Sequence, residues 1–373
     1  MAKLSCASIK ETYMTDNEEK ALSFMAEFDE YKRLGEPGKN EKSEAWQIAI
    51  GLQQTDGLRT SAYLIEIAKK NIEGEITLDE VKERLDSYYI AKPAGPGDNR
   101  VDEADKVSAN ITGILSEDAF TFSPAEYLMI HERLFTGIYS FAGKIRDYNI
   151  TKAEWVLNGE TVIYAGANSI RATLDYDFGL EKEFQYKGLT KEQISKHIAK
   201  FVSGLWQIHA FGEGNTRATA VFITKYLRKL GFDVTNDMFI KHSWYFRNAL
   251  VRANYDDIRK GIHSTDEYLN RFFGNLLLGQ NNILKSREMH VKYLVENKAQ
   301  NKAQIKRKGP DLTPIETAVL EYLDGRPDAT QVEIGDAINK SRRSVQEAIS
   351  SLKEKGLIER DGSKKTGKWI VKE

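Results

Sequence analysis

The sequence predicts a mainly α protein with one small β-hairpin near its middle and a winged helix towards its C-terminus. Three observations carry that expectation. Strong helix formers dominate, and most of the seven prolines sit near residues 37, 93–96 and 310–327, where they mark boundaries instead of interrupting elements. Asn158-Gly159 is a two-residue turn signal, flanked by the alternating Thr161, Val162, Ile163 and Tyr164. Residues 310–373 read as helix, helix, turn, helix and two short strands, the order of a winged helix-turn-helix.

In chain order, residues 1–95 read as short helices. "AWQIAIGL" is apolar-periodic, "SAYLIEIAKKNI" ends at Gly74, and "TLDEVKERLDSYY" opens on Thr77 as N-cap. After the loop-like "AKPAGPGDNR", the central block holds "SPAEYLMIHERLF", with Ser123 and Pro124 as start signals, then "EQISKHIAKFVSGLWQIHA", "TRATAVFITKYLRKLGF" and "STDEYLNRFFGNLLLG". From Ser286 to Lys308 the chain turns basic and amide-rich, as an exposed helix or linker would. In the last block Thr313-Pro314 opens one helix, "QVEIGDAI" forms another, Ser341 caps a third from Arg342 to Lys355, and Gly356 ends it. The expected divisions are 1–95, 96–284, 285–309 and 310–373.

Composition narrows the function classes. A chain of 373 residues is expected to form two or three domains, since one domain commonly takes about 100–200 residues. No apolar run reaches the roughly 18 residues of a membrane span, the N-terminus lacks a signal-peptide core, and Cys6 has no disulfide partner, so a reducing cytoplasm is the expectation. The formal charge of −1 gives no global field for nucleic acid or membrane. The six histidines never pair closely and no cysteine cluster accompanies them, which argues against zinc and leaves carboxylate and phosphate as metal holders.

The chemistry concentrates in "HAFGEGNTRATA", His209 to Ala220. Gly212 and Gly214 let successive N–H groups point inward, and the stretch runs into a helix beginning near Thr216, the makings of an anion nest at a helix N-terminus. Arg217 is placed to grip phosphate, and Glu213 to hold Mg2+ against phosphate oxygens. His209, with an ordinary pKa of about 6.5, is placed to accept a proton from an attacking hydroxyl.

These residues resemble the Fic family signature, His-Pro-Phe-x-Asp/Glu-Gly-Asn-Gly/Lys-Arg-x-x-Arg, at His209, Phe211, Glu213, Gly214, Asn215 and Arg217. The likeness extends from Phe120 to Gly279: "FTFSPAEYLMIHERLF" resembles the opening helix, "AGKIRDYNI" the segment ahead of the flap, "NGETVIYAG" the flap hairpin and "SWYFRNALVRAN" the helix closing the nucleotide pocket. The resemblance implies a Fic-type helical core and transfer of AMP from ATP to a Ser, Thr or Tyr hydroxyl of a target protein, or of the chain itself. On that basis His209 is the general base, Glu213 the Mg2+ ligand, and Gly212, Gly214, Asn215, Thr216 and Arg217 hold phosphate. Phe211 anchors the loop, and Val162, Ile163 and Tyr164 form the flap that pairs with the target backbone. Tyr245 and Asn248 are candidates for the adenine and ribose pocket, with helix packing and capping as the competing reading.

Three positions depart from the signature: Ala210 for proline, Thr216 for glycine or lysine, and Ala220 for the second arginine. In the family that arginine grips the γ-phosphate and pairs with an inhibitory glutamate in a Ser/Thr-x-x-x-Glu-Gly/Asn helix. The N-terminal "AWQIAIGLQQTDGL" resembles antitoxin domains that supply such a helix, yet Ile50 and Trp46 occupy the glutamate and hydroxyl positions. The expectation is an antitoxin-like region kept as scaffold and not as lock. Two alternatives stay open: transfer of another nucleotide or a phosphoryl group by the same site, and a DNA-binding regulator whose degenerate core only senses nucleotide. The winged helix offers Arg342, Arg343 and Ser344 on its recognition helix and Lys364, Lys365 and Lys368 in its wing, but acids match its bases, so its partner is either DNA or protein. A second copy of the chain is a further candidate partner, and a membrane is not.

Overall fold

The computed structural model describes residues 28, 31, 33–92, 100–234, 237–294, 312–362 and 367–372. They fall into two units, Met1–Val295 and Glu296–Glu373. Cys6, most of the "AKPAGPGDNR" loop, the basic stretch beyond residue 294, Lys364 and Lys365 lie outside the described residues.

In the first unit, helices begin where the sequence supplies caps. After α1 (Lys39–Gln53), α2 (Ala62–Glu73) starts at Ser61, whose side chain accepts from the Leu64 N–H, and stops at Gly74, φ 81°. A capping box between Thr77 and Glu80 opens α3 (Leu78–Ala91). Next comes α4 (Val101–Leu115), which has no capping side chain to announce it. Then follow α5 (Pro124–Phe135), α6 (Ile170–Glu183), α7 (Lys191–Ile208) behind a second capping box at Thr190, and α8 (Asn215–Lys229). Next come α9 (Asp237–Ala253), which departs from helical geometry at His242, and α10 (Glu267–Leu278), before a single turn of helix at Ser286–Met289.

The core of this unit is organised around α8. Every residue from Asn215 to Leu227 is buried, as expected for a helix enclosed on all sides, and α1, α4, α5 and α7 pack around it. Its polar groups are answered locally: Tyr127 and Thr219 share a hydroxyl bond at 3.0 Å, and Lys225 donates to the Ile114 carbonyl at 2.9 Å. A satellite cluster of Phe28, Trp46, Ile50, Leu64, Ile67, Ile72, Val81 and Leu85 fills the N-terminal helices. Gly51 lets α1 meet α9 backbone to backbone, since a Cβ there would lie 2.5 Å from the Ile240 Cα.

The expected central hairpin needs correction: its turn forms but its ladder does not. Asn158 (φ 58°) and Gly159 (φ 90°) reverse the chain, and the Glu154 N–H donates to the Glu160 carbonyl at 2.9 Å. No strand follows. Side chains take the backbone groups instead: the Lys152 N–H donates to Thr161 Oγ1 at 3.1 Å, and Gln207 Nε2 donates to the Ile163 carbonyl at 3.1 Å.

The second unit holds the sheet found among the described residues. Its helices α11 (Pro314–Gly325), α12 (Gln331–Ile338) and α13 (Arg342–Glu354) precede β1 (Ile358–Asp361) and β2 (Lys368–Val371), which pair antiparallel with Ile358 opposite Val371. Val319, Leu323, Ile334, Val345, Leu352 and Trp369 give it a core of its own. This is the winged helix order that the sequence predicts. Among the described residues of the chain, no helix is long and apolar enough to cross a membrane.

Candidate active site

The loop from His209 to Gly214 is shaped by bonds that the chain makes to itself. His209 caps α7 in the left-handed region, φ 50°, with its N–H on the Trp206 carbonyl at 3.1 Å. Gly214 must be glycine, because φ is 76° and a Cβ would lie 2.3 Å from the Phe135 ring. Asn215, expected on phosphate, uses both ends of its amide on Phe211: Oδ1 accepts from the backbone N–H at 3.0 Å and Nδ2 donates to the carbonyl at 2.8 Å. Phe211 is fully buried, with its ring stacked 3.6 Å from that of His131. His131 Nδ1 accepts from the Gly143 N–H at 2.9 Å, so Nε2 carries the proton and donates to the Glu213 carbonyl at 3.0 Å. Burial pushes His131 down to about 4, so it is neutral at pH 7.

His209 is the opposite case. It is 1 % exposed, yet among the described residues neither ring nitrogen has a hydrogen-bond partner. Burial, then the charges of Lys152 and Arg247, hold its pKa well below the ordinary value, so a neutral imidazole with a free lone pair faces the loop. Tyr164 lies against it, ring centroids 4.2 Å apart. Arg146 fixes its backbone, donating from Nε to the His209 carbonyl at 2.7 Å and from Nη2 to the Ala165 carbonyl at 2.5 Å.

At the other end of the loop, Arg217 is fully buried and surrounded by acceptors. Asp56 Oδ2 lies 2.7 Å from its Nε, Glu103 Oε1 accepts at 2.8 Å and Gln53 Oε1 at 3.0 Å. Arg247 from α9 reaches Glu154 at 2.9 Å and the second oxygen of Asp56 at 3.4 Å. For both Asp56 and Glu103 burial raises the pKa, but their cationic partners outweigh it and the net shift is downward. The N-terminal helices deliver two carboxylates to Arg217, from Asp56 just after α1 and Glu103 on α4. Asp56 lies six residues beyond Ile50, which packs in the satellite cluster, and Trp46 donates to Asn71 Oδ1 at 3.0 Å.

The remaining predicted residues divide. Val162 is buried, Ile163 is 84 % exposed and Tyr164 covers His209, so the alternation survives without a ladder. Thr216 Oγ1 accepts from the Trp206 indole at 3.0 Å and from Arg247 at 3.4 Å. Tyr245 is buried and donates to the Tyr268 carbonyl at 3.3 Å, and Asn248 donates to the Trp244 carbonyl one turn back at 2.8 Å. Those bonds follow the packing and capping reading, although the Asn248 Oδ1 is buried without a partner. Ala220 is core. Glu213 is half-exposed and pairs with Lys152 at 3.0 Å. Among the described residues no three His, Cys, Asp or Glu side chains gather as a metal cage. One accessible carboxylate beside the glycine-shaped loop still fits Mg2+, which commonly takes one or two carboxylates and draws its other ligands from phosphate and water.

A family model of the Fic/DOC family matches residues 121–227, and one of the MarR family matches residues 311–368. The chain contains a Fic domain. It also contains a MarR-type winged helix. The Fic region is similar to Protein adenylyltransferase VbhT of Bartonella schoenbuchensis, 30% identical over 108 residues, which are 29% of this chain and 21% of that protein. Probable protein adenylyltransferase y4lH of Sinorhizobium fredii is 27% identical over 135 residues, 36% of this chain and 66% of the relative. The chain thus spans about a fifth of the first relative and just under two thirds of the second. Among solved structures, a Fic family protein from Desulfovibrio desulfuricans G20 matches 96% of this chain and 97% of its own at 14% identity, with a TM-score of 0.39.

Sequence reasoning missed His131, Arg146, Lys152 and Glu154 within the residues matched by the Fic family model, and Asp56, Glu103 and Arg247 outside them. Glu103 left a signal: with Val107, Ile111 and Ile114 it shares one face of α4, and a charge on an apolar stripe announces a buried partner. Arg247, on the face of α9 that carries buried Ile240, Leu250 and Val251, left the same kind. Asp56 sits in a polar turn and left none.

Proposed function

We propose that this protein transfers AMP from ATP to a Ser, Thr or Tyr hydroxyl of a protein target, with its own chain among the candidates. The observation that carries the reading is the buried, neutral His209 with both ring nitrogens unpaired at the edge of a glycine-shaped loop leading into α8. Such a group costs stability unless something meets it, which marks it as kept for a ligand. In this reading His209 accepts the hydroxyl proton as the oxygen attacks the α-phosphorus. A new P–O bond forms, the bond to pyrophosphate breaks, and the amides of Gly212 to Thr216 stabilise the developing negative charge. Bound at Glu213, Mg2+ would supply charge neutralisation for the phosphates, with Lys152 yielding the carboxylate. Ile163, exposed beside Tyr164, suits a flap that receives the target's backbone.

Two labels test this. Incubated with a candidate target and ATP carrying label at the α- or the γ-phosphate, the protein is expected to pass only the α-label to protein, and His209→Ala to abolish it. Transfer of γ-label points to a kinase, and nucleotide binding without any transfer points to a sensor. For the winged helix we infer a protein partner, because Glu347 and Glu354 share the outer face of α13 with Arg343 and Glu347 neutralises it at 3.1 Å. A salt-dependent gel shift with duplex DNA would reverse that inference.

A further inference from the structure

Arg146 is 4 % exposed, and among the described residues it meets no carboxylate, unlike Arg217 and Arg247. Every bond of its side chain goes to a backbone carbonyl. Nε donates to His209 at 2.7 Å, Nη1 to Tyr148 at 2.6 Å, and Nη2 to Ala165 at 2.5 Å and to Ile208 at 3.4 Å. Its own N–H donates to the Ala210 carbonyl at 2.9 Å. These acceptors belong to three segments: the end of α7 with the loop that follows it, the stretch ahead of the flap, and the far end of the flap. We propose that Arg146 is the positioning residue of this site, holding His209 in its left-handed backbone conformation and joining it to the flap, so that base and flap move as one body.

Three features separate this arrangement from an ordinary loop brace. The first is the backbone of His209, which sits at φ 50°, where a side chain with a Cβ is disfavoured and must be held by its surroundings. Its ring cannot supply that hold, since neither nitrogen makes a hydrogen bond, so the carbonyl bond from Arg146 does. The second is the choice of acceptors. Ile208 and His209 carry the last carbonyls of α7, the negative end of the helix dipole, which answers a buried cation without a carboxylate and so leaves no acid beside the base. The third is the flap. Tyr164 packs on the His209 ring at 4.2 Å, and the carbonyls on either side of it are both tied down, Ile163 by Gln207 at 3.1 Å and Ala165 by Arg146. Of these two ties only Arg146 also bonds His209. A planar fork can reach separate segments at once from fixed directions, which the single ammonium of a lysine cannot reproduce.

Positioning has a catalytic meaning only if His209 is the base, so the proposal rests on the adenylyl-transfer reading; the coupling itself is tested without any transfer. In hydrogen exchange of the full-length protein, peptides covering residues 160–167 and 206–212 should open with one free energy and one urea dependence. Arg146→Lys, which keeps the charge and loses the fork, should speed exchange in both by about tenfold and leave the winged helix unchanged. Gln207→Ala cuts only the Ile163 bond and should speed the flap alone. In α-label transfer, Arg146→Lys should lower kcat about a hundredfold, the scale of a reacting group displaced by roughly 1 Å, with KM for ATP changed by less than about twofold. A fall in kcat matched by a rise in KM, or faster exchange of the flap alone in Arg146→Lys, overturns the coupling and leaves Arg146 a loop brace. If Arg146→Lys fails to melt cooperatively, exchange of the parent protein decides: separate opening free energies for the two peptides overturn the proposal. Joint opening in a protein that transfers no label refutes the transfer reading and leaves the coupling standing, and separate opening in one that does transfer label has the reverse meaning.

Discussion

The two ends of one loop show opposite uses of burial. His209 and Arg217 are both withdrawn from solvent, yet the first has no partner for either nitrogen and the second has Asp56, Glu103 and Gln53 around it. A buried neutral ring without partners contributes little to stability and keeps its lone pair available. A buried cation with partners contributes little to chemistry until one of them leaves, and its removal strands their charges. The difference separates the group kept for reaction from the groups that hold the domain together.

The largest expected effect tests the first end. His209→Leu should lower α-label transfer by about a thousandfold, the scale of a lost general base, while leaving the urea midpoint where it was or slightly higher. A stability loss would show that the ring has partners after all. Arg217→Met should do the reverse at the level of folding, costing about 3 kcal/mol in urea unfolding because Asp56 and Glu103 stay buried with less compensation. A midpoint close to that of the parent protein would break the comparison.

Acid should separate the two ends further. His131 titrates at about 4 in the folded protein against 6.5 for the free side chain. The unfolded chain therefore binds the proton first, and the contribution is full above 6.5 and disappears as pH falls towards 4, about 3 kcal/mol in all. His209, also depressed, acts in the same sense. Asp56 and Glu103 are depressed below their ordinary 3.8 and 4.5, so what they contribute is present above those values and is lost only at lower pH. Unfolding free energy followed against pH should fall in two stages, and His131→Asn should flatten the upper one alone. The smallest effect is expected from Arg343→Ala in the winged helix. That side chain is 89 % exposed, and breaking its pair with Glu347 should change stability by less than about 0.5 kcal/mol.

Local chemistry was legible where it was self-contained. Thr77, Ser123, Thr313 and Ser341 each cap the helix that they announce, because a capping bond spans only three residues. The motif placed His209 and the helix start in one loop for the same reason. Helix α4 follows a proline-rich loop without a capping side chain to announce it, and alternation in the flap specifies which side chains face inward without specifying what the backbone bonds to. Asn215 shows the limit within the motif itself: residue type fits phosphate or backbone equally, and its amide went to Phe211.

The sequence by itself determined the helices, the turn at Asn158-Gly159, the winged helix order and a nine-residue motif with a histidine at one end and an arginine at the other. Only the tertiary structure decided who meets whom. Asp56 and Glu103 come from separate elements to Arg217, and Arg247 arrives from α9 to share Asp56. Among the described residues, none brings a hydrogen-bond partner to the ring nitrogens of His209. Caps and turns are fixed by neighbours within a few residues, whereas a buried charge is fixed by whichever distant group the packing presents to it, and that choice has no local record in the chain.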